Sequence, residues 1–353
     1  MTHPAPDRPP IRVLLVDDSA TSRAAMRRML EESCGATVVG VAADGEEALA
    51  DALRLRPDLV FLDLEMPRMD GLTFLRLLMP RQPTPVVVVS AQAGRSEVFK
   101  ALELGALDFV AKPEGGGALE GIRSALVEKC QLLRCLRIEN LGAREAPPAA
   151  PAHGAGLAEP SGVVAVGAST GGPQAILRLL CALPGTLGAG LVVAQHMPER
   201  FTAAFAERLA RTTPFSVQEA REGDVVAAGR VLVAPGGRIL ELVRDQAGTL
   251  RARVLLPEPG ATRQPRPSVD RLFESVSREV GRRACAVVLT GMGQDGRLGI
   301  AAVKRAGGLT LAESAETAVV YGMPQAAAES GAVDEILPLD GLAERIARFG
   351  GGS

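Results

Sequence analysis

The stretch Ile11-Arg-Val-Leu-Leu-Val-Asp-Asp18 sets the fold of the first part of the chain. Its apolar run lacks the alternation of a half-exposed strand, which predicts a β-strand buried on both faces of a parallel sheet. Similar runs follow at Leu59–Leu62 and Val86–Val89, and amphipathic stretches such as Ser22–Glu32 and Glu46–Leu55 lie between them. This repetition of strand and helix predicts a doubly wound α/β domain.

The second part of the chain repeats this alternation. Apolar runs with the character of buried strands lie at Val163–Val166, Leu191–Ala194 and Ala286–Leu289. Three further short runs lie close together around glycines and predict an antiparallel hairpin set: Val231–Ala234, Ile239–Val243 and Arg251–Leu256. We therefore predict a second doubly wound α/β domain, larger than the first, mostly parallel and Rossmann-like.

The segment Ala143–Pro160 interrupts both patterns, because it is rich in Ala, Pro and Gly and holds almost no large apolar side chain. Such a composition is typical of a linker. The preceding stretch, Ala118–Leu141, has a helical pattern. We predict a first domain over residues 11–130, a linker over 131–160 and a second domain over 161–349.

The composition argues against several classes of protein. The chain has 353 residues, 47% of them hydrophobic and 23% charged, which is the balance of a soluble globular protein. A net charge of -2 offers nothing for nucleic acid or an anionic membrane, and no run approaches the roughly 18 apolar residues of a membrane helix. The five cysteines form no C-x-x-C pair, and the proline-rich start does not match a signal peptide. These features predict a cytoplasmic protein with free thiols.

Acidic side chains follow two predicted strands of the first domain. Asp17 and Asp18 follow one strand and Asp63 follows another, while Ser90 and Lys112 end later strands. Ligands collect at the carboxyl ends of parallel strands, and three carboxylates there favour a divalent cation such as Mg²⁺. The set predicts a site that accepts a phosphoryl group, with a hydrogen bond from Ser90 and a charge pair from Lys112. The alternative is that each Asp caps a helix or a turn.

A glycine-rich turn, Gly167-Ala-Ser-Thr-Gly-Gly-Pro173, follows the first strand of the second domain. The pattern Gly-x-Ser-x-Gly between a strand and a helix presents a serine on a sharp turn, and the helix start offers N–H groups to an oxyanion. We therefore predict that Ser169 is a nucleophile. The alternative is a phosphate-binding glycine loop, but the spacing is not G-x-G-x-x-G and no lysine follows.

Elimination among the three histidines indicates the base. His3 lies in the proline-rich start and His153 in the predicted linker, whereas His196 ends a predicted strand. A carboxylate that orients the imidazole is expected beside it. Asp295 lies on a glycine-rich loop at a third strand end, and Asp270 is the competing candidate. A helix start is the alternative role for both aspartates. The order Ser–His–Asp differs from the order in α/β-hydrolases.

The first domain resembles the response-regulator receiver domain from about Arg12 to Ala125. The resemblance rests on the strand-end acids and on two stretches, Asp63-Leu-Glu-Met-Pro-Arg-Met-Asp-Gly71 and Ala101-Leu-Glu-Leu-Gly-Ala-Leu-Asp-Phe-Val-Ala-Lys-Pro113. It implies a five-stranded parallel sheet with Asp63 as the phosphoacceptor. It also implies Mg²⁺ ligands at Asp17, Asp18, Asp63 and the backbone carbonyl of Glu65. Phe109 takes the place of the aromatic that moves inward on phosphorylation, and plain core packing is the alternative.

The whole arrangement resembles the chemotaxis protein-glutamate methylesterase (CheB) family. The motifs, in order, are Val166-Gly-Ala-Ser-Thr-Gly-Gly-Pro173, Gln195-His-Met-Pro198, Arg266-Pro-Ser-Val-Asp270 and Leu289-Thr-Gly-Met-Gly-Gln-Asp-Gly296. The resemblance implies that Ser169 is the nucleophile, His196 the general base and Asp295 its orienter. Thr170 and Met292 are then placed beside the oxyanion, and the esterase site holds no cofactor.

The same resemblance implies the activity and the partners. The expected reaction is demethylation of glutamyl methyl esters on methyl-accepting chemotaxis receptors, with deamidation of receptor glutamines. The expected phosphodonor is the chemotaxis histidine kinase, and in this family the unphosphorylated receiver covers the catalytic cleft. The protein is expected to be a monomer, peripheral to receptor arrays, without membrane insertion.

Three alternatives belong to other classes or pathways. A receiver-controlled transcription factor needs a basic recognition helix, and residues 161–353 are near neutral. A non-catalytic interaction module does not need Ser169, His196 and Asp295 together. An esterase of the same family in a different two-component sensory pathway would carry the same motifs, so the sequence leaves this alternative open.

Overall fold

The chain divides into two compact units, Met1–Arg144 and Glu145–Ser353. The computed structural model describes residues 9–90, 95–113, 119–133, 136–140, 158–256 and 267–351. Residues 134–135 and 141–157 of the predicted linker lie outside the described residues, as do His3, His153 and Arg266. The domain boundaries drawn from the sequence stay predictions.

The first unit contains a parallel sheet of five strands. Side by side, the strands are β2 (Thr37–Ala42), β1 (Arg12–Val16), β3 (Leu59–Leu62), β4 (Val86–Ser90) and β5 (Asp108–Ala111). Strands β3 and β4 are buried along their whole length, as expected for a parallel sheet covered on both faces. The edge strand β2 is partly exposed, and Gly40 interrupts its short apolar run, so no strand was predicted there.

Helices connect these strands, and a last helix follows β5. In chain order they are α1 (Ala20–Cys34), α2 (Gly45–Leu55), α3 (Gly71–Leu78), α4 (Arg95–Glu103) and α5 (Arg123–Leu132). Two aspartates cap helices: Asp44 accepts hydrogen bonds from the first turn of α2, and Asp70 accepts one from the first turn of α3. Within the stretch with a helical pattern, 118–141, the described residues include α5 and short 3-10 helices at Leu119–Ile122 and Ile138–Asn140.

The second unit contains a parallel sheet of seven strands. Side by side, they are β14 (Glu335–Leu337), β13 (Leu309–Glu313), β12 (Ala284–Val288), β6 (Val163–Ala168), β7 (Gly190–Gln195), β9 (Arg230–Val233) and β8 (Ser216–Glu219). The central strands β12, β6 and β7 are fully buried. Their parallel pairing brings their carboxyl ends to one edge of the sheet.

An antiparallel pair, β10 (Ile239–Arg244) and β11 (Leu250–Leu255), accompanies this sheet. Asp245 closes the hairpin by accepting hydrogen bonds from the N–H groups of Ala247 (2.9 Å) and Thr249 (3.0 Å). The grouping of Val231–Ala234 with this hairpin was wrong, because β9 pairs in parallel with β7 and β8. Most of β9 is buried without alternation, as in a strand covered on both faces.

Six α-helices are described in this unit. They are α6 (Gly172–Ala182), α7 (Glu199–Thr212), α8 (Val269–Val280), α9 (Arg297–Arg305), α10 (Met323–Glu329) and α11 (Leu339–Gly350). A 3-10 turn at Gly281–Arg283 follows α8. One core cluster of this unit is mostly aliphatic, with Phe273 of α8 packed among Val, Leu, Ile and Ala side chains. Each large side chain buried in it stabilises the fold by roughly 1.5–3 kcal/mol.

Within the described ranges, no helix combines the length and the apolar character that a membrane crossing requires.

Candidate functional site

A sharp turn carries Ser169 between β6 and α6. The Ser169 N–H donates to the Thr290 carbonyl (3.0 Å), and the Gly172 N–H donates back to the Ser169 carbonyl (2.8 Å). Two glycines are required here: Gly171 has a φ of 78°, and a Cβ on Gly172 would lie 2.0 Å from a neighbouring side-chain oxygen. Ser169 itself is 7% exposed. These residues thus form the strand, turn and helix that the glycine pattern predicted.

His196 follows β7, the parallel neighbour of β6, and its N–H donates to the Ala168 carbonyl (3.0 Å). The imidazole Nε2 lies 2.8 Å from Asp295 Oδ2. A proton on Nε2 shared with this carboxylate leaves Nδ1 as the basic nitrogen. In the part of the chain that the structure describes, no hydrogen bond joins the Ser169 hydroxyl to the imidazole. The structure therefore pairs His196 with Asp295 and places Ser169 at the adjacent strand end.

Asp295 precedes α9 in the chain, but its carboxylate lies at the start of α8. It accepts hydrogen bonds from the N–H groups of Val269 (2.8 Å) and Asp270 (2.9 Å), which have no acceptor within their own helix. Burial would raise the pKa of Asp295, but the hydrogen bonds from His196 and from the helix start outweigh burial and lower it. The carboxylate is therefore ionised at neutral pH and can stabilise a charged imidazolium.

Asp270, the competing carboxylate, contacts a different helix. It lies in the first turn of α8, and its carboxylate accepts hydrogen bonds from Gly296 N–H (2.9 Å) and Gly299 N–H (2.7 Å) at the start of α9. Burial raises the pKa of Asp270 to about 6, and the charge of Asp295 adds to this effect. Asp295 thus caps α8, and Asp270 caps α9. Of the two carboxylates, the one of Asp295 contacts the imidazole.

The two residues predicted beside the oxyanion flank the Ser169 turn. Thr170 is buried, and its carbonyl accepts a hydrogen bond from the Thr290 hydroxyl (3.0 Å). Met292 is half-buried in the loop that follows Thr290. The residue before it, Gly291, packs so closely that a Cβ there would lie 2.7 Å from Ser169 Cβ. The oxyanion roles of Thr170 and Met292 stay predictions.

The sequence reasoning missed Gln195, the last residue of β7. Its buried amide donates from Nε2 to the Ser169 carbonyl (2.9 Å) and to the His196 carbonyl (3.0 Å). One side chain thus holds the backbone of both residues. The only signal in the sequence was its place beside His196, since a strand pattern does not show which backbone atoms a side chain meets.

The sequence reasoning also missed Glu313, the last residue of β13. Its carboxylate accepts hydrogen bonds from the Thr290 N–H (2.8 Å) and the Thr317 hydroxyl (3.0 Å). Burial raises its pKa to about 7. An acid at the end of an apolar strand was the available signal, and the same signal marked Asp63 in the first domain.

The edge of the first sheet brings three carboxylates and one lysine together. Carboxylate oxygens of Asp17, Asp18 and Asp63 lie within 4.8 Å of one another. Lys112 Nζ lies 2.8 Å from Asp17 Oδ2 and also hydrogen-bonds to Asp63. Burial raises the pKa of Asp63, while Lys112 opposes this rise. Burial disfavours the charge of Lys112, but its two carboxylate partners outweigh burial and raise its pKa.

The other residues predicted for this site lie around the cluster. Ser90 ends β4 and is buried, and its carbonyl accepts the Lys112 N–H (2.8 Å). Phe109 lies in β5 and is also buried, which is compatible with both of its predicted roles. The Glu65 N–H donates to Asp63 Oδ1 (3.3 Å). The functions assigned to these residues stay predictions.

Comparison with known proteins identifies both segments. Residues 164–346 match the family described as CheB methylesterase, and residues 13–122 match the response regulator receiver domain. A solved structure, the Thermotoga maritima CheB methylesterase catalytic domain, is 36% identical with a TM-score of 0.50, over 53% of this chain and 97% of that chain.

Relatives that align over nearly the whole chain carry one name, protein-glutamate methylesterase/protein-glutamine glutaminase. A relative from Anaeromyxobacter dehalogenans (strain 2CP-C) is 64% identical over 96% of this chain and 95% of its own length. A relative from Myxococcus xanthus (strain DK1622) is 50% identical over 96% of both chains. The chain therefore belongs to the CheB methylesterase family, with a response regulator receiver domain ahead of the methylesterase segment.

Proposed function

We propose that this chain is a phosphorylation-activated serine hydrolase that removes methyl groups from glutamyl methyl esters of chemoreceptors. The proposal includes deamidation of receptor glutamines, since the relatives are named as glutaminases as well as methylesterases. The observation that carries the proposal is the hydrogen-bonded pair of His196 and Asp295 beside the Ser169 turn. The alternative, an esterase of this family in another sensory pathway, gains no support from the names of the relatives.

In the proposed reaction, His196 Nδ1 takes the Ser169 hydroxyl proton while Oγ attacks the ester carbonyl. The negative charge on the former carbonyl oxygen develops beside Thr170 and Met292. The carbon–methoxy bond then breaks, His196 returns the proton to the leaving oxygen, and methanol departs. Water, with His196 as base, hydrolyses the resulting glutamyl–Ser169 ester to a free glutamate and a free serine.

Deamidation follows the same steps with ammonia as the leaving group. An amide nitrogen leaves less readily than a methoxy oxygen, so proton donation by His196 contributes more to this reaction. The ionised Asp295 supports both reactions, because it stabilises the imidazolium that forms during each attack. No step of this scheme requires a cofactor in the esterase site.

The proposed switch is phosphorylation of Asp63, with the histidine kinase of the chemotaxis system as donor. The acidic cluster fits Mg²⁺, because three carboxylates face one ammonium and hard divalent cations prefer oxygen ligands. Bound Mg²⁺ would neutralise phosphoryl oxygens, while Ser90 and Lys112 bind the phosphoryl group and Phe109 responds to it. The proposed ligands are Asp17, Asp18, Asp63 and the backbone carbonyl of Glu65.

We place the protein in the cytoplasm, as a monomer that meets receptor arrays at their cytoplasmic side. The four described cysteines are free thiols, which supports a reducing compartment. The near-neutral charge supports a protein substrate rather than nucleic acid.

The test measures methanol released from methylated chemoreceptor membranes, with and without acetyl phosphate. We expect the parent protein to release methanol, and acetyl phosphate to increase the rate. Ser169→Ala should lower the rate by about 1,000-fold or more, because the covalent step is lost. The variant should still accept phosphate at Asp63. Release by Ser169→Ala at the parent rate would contradict the proposal.

A further inference from the structure

Glu313 is a buried acid that the proposed reaction does not use. It is the last residue of β13, and only 1% of its surface is exposed. Its Oε2 accepts the Thr290 N–H at 2.8 Å, and its Oε1 accepts the Thr317 hydroxyl at 3.0 Å. Burying a carboxyl group among aliphatic strands destabilises the fold unless hydrogen bonds compensate, so the partners of Glu313 indicate what its side chain does.

Thr290 connects Glu313 to the nucleophile. The Thr290 carbonyl accepts the Ser169 N–H (3.0 Å), and the Thr290 hydroxyl donates to the Thr170 carbonyl (3.0 Å). The same hydroxyl accepts the Val320 N–H (3.0 Å). Every polar group of Thr290 therefore serves this network, and Glu313 supplies the acceptor for its N–H.

An apolar side chain at position 313 would leave the Thr290 N–H without an acceptor in a buried place. An unsatisfied buried donor destabilises the local structure, so Thr290 would shift to find a partner. Because Thr290 holds both Ser169 and Thr170, such a shift would move the nucleophile and the adjacent oxyanion position together. Displacements of this kind lower the rate of the chemical step more than they weaken binding.

We propose that Glu313 is a positioning residue of the esterase site, which fixes the Ser169 turn through Thr290. The inference rests on the proposed serine hydrolase function. The required property is an acceptor for the Thr290 N–H rather than a charge. A glutamine can supply this acceptor from Oε1 and can donate from Nε2 to the Thr317 hydroxyl, so it should replace Glu313.

The test compares Glu313→Gln and Glu313→Leu in the full-length protein. The first readout is the rate at which a fluorophosphonate probe labels Ser169, which requires no natural substrate. The second is kcat and KM for methanol release from methylated receptor membranes. We expect Glu313→Gln to stay within about 3-fold of the parent in both rates. Glu313→Leu should lose about 10- to 100-fold in labelling rate and kcat, with KM within about 2-fold.

Thr310→Val is the matched control. Thr310 lies in the same strand, is equally buried, and donates to the Ala332 carbonyl (2.7 Å) away from Ser169. This variant should lose stability, read as thermal melting, while its labelling rate stays at the parent value.

A folded Glu313→Leu with parent rates would overturn the inference. So would a folded Glu313→Gln that loses as much as Glu313→Leu, or an equal loss in Thr310→Val. A parent protein that is labelled at Ser169 but releases no methanol would refute the proposed substrate alone, and the labelling rates would still decide the role of Glu313.

Discussion

The two sheet edges of this protein hold their functional side chains in place in different ways. In both units, the reactive side chains follow buried parallel strands. At the first edge, Asp17, Asp63 and Lys112 contact one another directly through their side chains. At the second edge, Ser169 and His196 are held largely through their backbones, by Gln195 and Thr290.

This difference fits the chemistry that we propose for each edge. A cluster that binds a cation and a phosphoryl group needs excess charge, and three carboxylates beside one lysine provide it. A turn that carries a nucleophile needs a fixed geometry and one well-placed charge, because these groups must stabilise the charge that develops in the transition state. The second edge accordingly keeps one strongly ionised carboxylate, Asp295, at a helix start.

The contribution of that single charge can be tested with Asp295→Asn. An amide nitrogen in the place of Oδ2 would face His196 Nε2 and reverse the imidazole tautomer, and it would leave the Val269 N–H without its acceptor. The amide oxygen in the place of Oδ1 would still accept from the Asp270 N–H. We expect kcat for methanol release to fall by about 10³- to 10⁴-fold, with phosphorylation of Asp63 unchanged.

Asp270→Asn is the matched control, because it makes the same change in the partner aspartate of the reciprocal helix caps. Its carboxylate contacts the start of α9 and not the imidazole. We expect kcat to stay within a few-fold of the parent. Equal losses in the two variants would show that Asp295 acts through helix capping alone, and the distinction between the two edges would fail.

The link between the edges can be tested with Asp63→Asn. The substitution removes the phosphoacceptor but leaves the esterase residues unchanged, so basal methanol release should persist. Stimulation by acetyl phosphate should disappear, which removes an effect of about 5- to 150-fold if the coupling has an ordinary size. Asp70→Asn is the control, since asparagine also caps α3 and the residue lies at the end of the same loop. Stimulation that persists in Asp63→Asn would contradict the proposed switch.

The residues of the first edge were easier to predict from the sequence than those of the second. Its acids and its lysine come directly after apolar strands, so the strand pattern alone brings them together, as for Asp17, Asp63 and Lys112. The doubly wound fold and the five-stranded sheet were also predicted correctly. The edge strand β2 was not located, because Gly40 interrupts its short apolar run.

The second edge was readable only in part. The glycines around Ser169 predict a tight turn, and the small number of histidines indicates His196 as the candidate base. The roles of Gln195 and Glu313 were not predicted, because their side chains hydrogen-bond to backbone groups that are distant in the chain. Such contacts depend on how strands are ordered in the sheet, and β13 joins this edge through β12. The parallel pairing of β9 was missed for the same reason.

The buried acid at the second edge should make the stability of that unit depend on pH. Burial raises the pKa of Glu313 from its ordinary 4.5 to about 7. Between these values the folded protein keeps the proton and the unfolded chain releases it. Stability is therefore fully present below about pH 4.5 and is lost as the pH rises through about 7.

Urea unfolding of the parent and of Glu313→Gln at several pH values would measure this effect. Tyr321 is the only tyrosine of a chain without tryptophan, so its fluorescence reports on the second unit. Between pH 5 and pH 8, we expect the parent to lose about 2 kcal/mol more unfolding free energy than Glu313→Gln. Taking the difference between the two proteins removes the contributions of other groups, such as Asp270. Parallel pH profiles would mean that Glu313 is ionised throughout this range, and that the second edge also keeps a second buried charge.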